Sequence, residues 1–65
     1  MSDPKRQHSF AGATELLAHA EAASRHLKEL RAACANGDKA TARVMLRRAI
    51  GELEVARAML RTGLE

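Results

Sequence analysis

DKATARVMLRRAIGELEVARAMLR, running from Asp38 to Arg61, decides the fold of this 65-residue chain. Read at heptad spacing, it yields Ala42, Leu46, Ala49, Leu53, Ala56 and Leu60, with steps of 4, 3, 4, 3 and 4 residues. An apolar residue every three to four positions is the signature of a helix packed along another helix. Asp38 is placed to cap the first turn by accepting from its unpaired amides, and Gly63 follows the last periodic residue. The spacing therefore predicts a helix from Asp38 to Arg61.

Upstream the same rhythm occurs in Leu16, Ala20, Ala23, Leu27, Leu30 and Cys34. Thr14 suits a helix cap, and Glu15 lies where the positive end of the helix dipole favours a carboxylate. Asn36-Gly37-Asp38 separates the two periodic stretches, and a connection this short makes its flanking helices antiparallel neighbours. The expected fold is all-α: an antiparallel helical hairpin, a two-helix coiled coil with helices near Thr14–Ala35 and Asp38–Arg61. Its expected core is Leu16, Leu27, Leu30, Leu46, Leu53 and Leu60. Residues 1–13, with Pro4, Gly12 and no helical stripe, read as a flexible tail, and Leu64-Glu65 reads as a tag remnant.

Composition narrows the function. Phe10 is the one aromatic residue, and Ala and Leu supply the apolar mass, which favours helices over strands. Cys34 is alone, so no internal disulfide forms; on the seam it reads as a small core residue. No apolar run reaches the roughly 20 residues needed to span a bilayer, and no secretory signal is evident, so a cytoplasmic address is expected. The net charge of +3 is mildly basic. A lone two-helix hairpin of this size is marginally stable, so a partner surface is expected, either a second copy or another protein.

The second helix also carries apolar residues beyond its seam. Val44, Met45, Val55 and Met59 widen the stripe along one flank, interrupted by Arg48 and Glu52, and form the expected partner interface. The other flank bears Arg43, Arg47, Glu54, Arg57 and Arg61. Its four arginines are the candidate nucleic-acid face, reading phosphates in a homodimeric four-helix bundle. Glu54 interrupts that row and no aromatic side chain offers base stacking, which favours a solvated charged face.

Catalytic and metal chemistry find little footing. His19 and His26 are seven residues apart, about 10.5 Å along a helix, too far to share one ion. Glu15 and His19 are spaced i, i+4 but lack a third ligand, so both histidines read as surface residues paired with glutamates. There is no nucleophile with base and orienting group, no phosphate-cradling glycine loop and no acid–base carboxylate pair. Neither catalysis nor a cofactor or metal is expected.

Leu27 and Leu30 before the turn, Gly37 in it, then Leu46, Leu53-Glu54 and Leu60 carry a family resemblance. Across Leu16–Leu60 the chain resembles the small helical-hairpin co-chaperones of type III secretion needle subunits. The resemblance implies a cytoplasmic protein that joins a larger helical-repeat chaperone to keep a needle subunit unpolymerised. The regular alanines of the seam depart from that pattern and favour self-pairing. Gly37-Asp38 with Ala42, Leu46 and Ala49 also looks like the turn and second helix of a tetratricopeptide repeat, which needs stacked neighbours. A dimer of such hairpins is similar in architecture to the small plasmid-copy-control RNA-binding bundle. His26-Leu27-Lys28 on a helix faintly resembles histidine phosphotransfer domains, though no acidic residue follows His26.

Overall fold

The computed structural model describes residues 10–63, which form two helices, α1 over Ala13–Ala35 and α2 over Lys39–Gly63, packed against each other as an all-α hairpin. The tail expected over residues 1–9 and the tag remnant at 64–65 lie outside the described residues. Among those described, no helix is long and apolar enough to cross a membrane.

The turn follows from three consecutive residue types. Asn36 ends α1, and Gly37 takes φ +70°, a left-handed conformation that costs most side chains about 1–2 kcal/mol. The Gly37 amide donates to the Cys34 carbonyl (3.1 Å), and the Asp38 amide to that of Ala33 (2.8 Å). These are the two bonds of a Schellman closure, and they satisfy carbonyls that the helix end leaves open. Asp38 then opens α2: its Oδ1 accepts from the Thr41 amide at 3.1 Å. One aspartate thus finishes one helix through its backbone and starts the next through its side chain.

The Thr41 side chain, and after it the Thr41 amide, favour the ionised carboxylate by hydrogen bonding and hold the Asp38 pKa below its ordinary value. A depressed pKa stabilises the fold above the unfolded-state value, and the stabilisation is lost as pH falls through the folded one. Asp38→Ala should therefore melt below wild type at neutral pH, and the gap should narrow as the medium is acidified into the carboxylate range. Thermal melts across that range check this; a gap that widened on acidification would contradict it.

At its other end, α1 starts at Ala13, not at a Thr14 cap. Gly12 is the cap residue, at φ +83° and without a side-chain bond, because the chain enters through a turn in which the Ala13 amide donates to the Phe10 carbonyl. Thr14 is consequently inside the first turn. Gly63 is the last residue of α2, not the residue after it.

The hairpin core is built of alanine. Ala23, Ala33, Ala49 and Ala56 are the buried hydrophobic residues, with Ala23 2% and Ala49 1% exposed. Leu16, His19, His26 and Leu30 of α1 and Ala42, Met45, Glu52 and Met59 of α2 are half-buried beside them. The seam therefore runs 16, 19, 23, 26, 30, 33 on α1 and 42, 45, 49, 52, 56, 59 on α2. It shares every second position with the expected seam and is rotated by one residue at the others.

Four of the six expected core leucines are displaced by that rotation. Leu27, Leu46, Leu53 and Leu60 are exposed, while Leu16 and Leu30 stay at the seam, half-buried. Cys34 is likewise exposed, and Ala33 takes its place inside. The physical reason is size. Alanines at 23, 33, 49 and 56 let the two backbones approach closely, and leucines at those four positions would hold them apart.

The register is set at two points. A Cβ added to Gly12 would lie 3.8 Å from Met59 Cε, and His19 meets Glu52, so residue numbers across the seam sum to 71. The same register sets His26 across from Met45.

Candidate interaction face

Helical geometry and this register decide where the displaced leucines go. At about 100° per residue, Leu46, Leu53 and Leu60 lie to one side of the α2 seam, with Ile50 beyond them. On α1, Ala20, Leu27 and Cys34 lie to one side of the seam in the same rotational sense, with Leu17, 57% exposed, beyond them. The two helices run in opposite directions, so both sets come to the same face of the hairpin. Near the turn this is directly visible: Cys34 of α1 and Lys39 and Ala42 of α2 line one open hollow of about 290 Å³, with Gly37 and Asp38.

The face is broad and apolar. Leu46 is 45% exposed, Ile50 46%, Leu53 49% and Leu60 42%. Such residues scattered singly would be ordinary, but four in succession along one side of a helix form a contiguous patch, of the kind that marks an association surface. Ile50 was absent from the expected interface and completes this row. Its signal was in the sequence, four residues after Leu46 and three before Leu53.

The expected partner interface does not hold together as one surface. Met45 and Met59 turn into the seam and are half-buried there, whereas Val44 and Val55 are exposed on the face opposite the leucines. The seam's one-residue rotation again accounts for this, since it draws positions 45 and 59 inward and leaves 44 and 55 outside.

The histidines are also placed differently from expectation. His19 pairs across the hairpin, not along its own helix: its Nδ1 lies 2.7 Å from Glu52 Oε1, with both side chains about two-thirds covered. An ionised carboxylate only accepts, so Nδ1 carries the hydrogen in this bond. His26 is half-buried in the seam, not exposed on a helix surface. Among the described residues no group of three His, Cys, Asp or Glu is arranged to hold a metal. Glu21, Arg25 and Glu29 form no ion pair along α1; among the described residues the one ion pair is His19–Glu52.

A polar pair in an otherwise apolar seam fixes register at some cost in stability. Changing both partners, His19→Leu with Glu52→Leu, should raise the melting temperature, by about 1 kcal/mol of stability. Glu52→Leu alone should lower it by leaving His19 without its acceptor. Chemical denaturation of the two variants checks the order, and a double variant less stable than the single would contradict it.

Arg43, Arg47, Arg57 and Arg61 are exposed along the outer edge of α2, beside the leucine face. Arg57 and Arg61 border a surface hollow of about 220 Å³ together with Glu54 and Ala58. The carboxylate at Glu54 is therefore set among the arginines in space as well as in sequence.

No family model, curated protein or solved structure matches this chain. The functional reading consequently rests on the chain's own chemistry.

Proposed function

We propose that this chain is a small non-enzymatic protein-interaction module, whose leucine–isoleucine face is covered by a helical surface of a partner. The observation that carries this reading is the row Leu46, Ile50, Leu53 and Leu60, each more than two-fifths exposed, on a hairpin whose own contact uses alanines. A helix that needed only its hairpin neighbour would not carry a second apolar side of this breadth. The co-chaperone resemblance supplies a concrete case: a helical-repeat chaperone covers the face, and the pair keeps a needle subunit unpolymerised in the cytoplasm. An arginine face for nucleic acid is less well supported, because Glu54 lies among its cations and no aromatic side chain accompanies them.

The test is affinity capture from the native cell with paired variants. Wild type and Val55→Glu, which changes the opposite face, should retain the same protein partner. Ile50→Glu with Leu53→Glu should lose it, with helicity by circular dichroism preserved. Equal retention by all three proteins would remove this face from the function, and a salt-sensitive nucleic acid in place of a protein would favour the arginine edge.

A further inference from the structure

The charges that frame the leucine face are not distributed like those elsewhere on the hairpin. Along the α2 rim stand Lys39, Arg43, Arg47, Arg57 and Arg61 against Glu54, with Asp38 beside Lys39 at the turn, a net positive rim. The α1 rim adds Lys28 and Arg31 against Glu21. On the opposite face the signs balance, Glu15 and Glu29 against Arg25 and Arg48. The excess positive charge of the described hairpin is thus concentrated around its exposed apolar row.

This arrangement weighs against a second copy as the occupant. A symmetric pair stacked through the leucine face would bring the α2 rim against its own copy or against the α1 rim. Both rims carry net positive charge, and like charges in juxtaposition across an interface oppose association. Shape weighs against a lipid surface: α1 contributes Leu17 at its outer border and the small side chains Ala20 and Cys34 on either side of Leu27, and α2 contributes the ridge of Leu46, Ile50, Leu53 and Leu60. A trough beside a ridge accepts the knobs of another helix. The chain also has no Trp or Tyr to seat at a membrane interface.

Building on the proposed function, we infer that the occupant of the leucine face is an amphipathic helix of a different protein, with an apolar stripe flanked by Asp and Glu. The apolar stripe enters the trough between α1 and the leucine ridge. Its acidic flanks meet Arg57 and Arg61 at one end of the α2 rim and Lys39 and Arg43 at the other.

The experiment uses designed probes against the full chain. One is a fluorescent helical peptide of about 21 residues, three heptads long, with a leucine stripe and glutamate flanks. A second has lysine flanks, and vesicles containing phosphatidylserine form a third arm. The glutamate peptide should bind at least about tenfold tighter than the lysine peptide, with affinity that falls as salt rises. Arg57→Glu with Arg61→Glu, checked for unchanged helicity, should reduce or reverse that preference. Equal binding of the two peptides, no binding of either, self-association tighter than the glutamate complex, or vesicle binding in place of peptide binding would each overturn the inference. The broader interaction reading would survive any of these so long as Ile50→Glu with Leu53→Glu still loses the native partner; if that variant keeps its partner, the broader reading falls as well.

Discussion

Replacing Ala49 with leucine should cost the hairpin most of its stability. Ala49 is 1% exposed, and register sets it near Ala23, itself 2% exposed, in the alanine contact between the two helices. Extra methylenes in a packed contact of this kind cost about 1–3 kcal/mol, and here relief comes only by moving two whole helices apart. A small domain has few kcal/mol to lose. The expected result is a large fall in melting temperature with loss of helical signal at ambient temperature. The control is Ala40→Leu, on the exposed outer side of α2, which should melt close to wild type. An Ala49→Leu protein as stable as wild type would show that the alanines are not the contact line.

The second large effect concerns assembly. Leu46→Glu with Leu53→Glu should abolish partner binding while leaving the isolated hairpin folded, because both side chains are nearly half exposed. By the same reasoning Leu53→Ala should do little to the isolated hairpin. It should be far from the 2–5 kcal/mol typical of a buried leucine truncated to alanine. Denaturation of the free chain and of the partner complex separates the two contributions: the leucine changes should register only in the complex. A free hairpin that unfolds on Leu46→Glu with Leu53→Glu would return the leucines to the core.

Much of the architecture was legible in the sequence. Asn36-Gly37-Asp38 announced the turn, because a left-handed glycine and a capping aspartate each have a specific backbone task there. The heptad rhythm announced two helices, and their bounds fall within two residues of expectation. The rotational phase was not legible by size alone. Two heptad phases share positions 16, 23, 30 and 42, 49, 56, and they differ in whether 46, 53 and 60 or 45, 52 and 59 turn inward. Choosing the larger apolar residue at each step selects the leucines, yet these leucines serve a different surface. A helix with two contact faces carries two overlapping stripes, and here the tighter stripe is the less hydrophobic one. The polar pair His19–Glu52 was invisible for the same reason, since its partners lie 33 positions apart and meet only once the phase is known.

An alanine seam inside and a free leucine face outside give opposite methyl responses in NMR to a water-soluble paramagnetic cosolute. On the dilute isolated chain, methyl signals of Leu46, Ile50, Leu53 and Leu60 should broaden strongly, and those of Ala23, Ala49 and Ala56 should stay sharp, with Met45 and Met59 between. Addition of the glutamate-flanked peptide should protect the leucine and isoleucine methyls and leave Val44 and Val55 unchanged. Leucine methyls already shielded in the isolated chain, with Ala49 and Met59 broadened in their place, would put the leucines in the seam and the alanines outside.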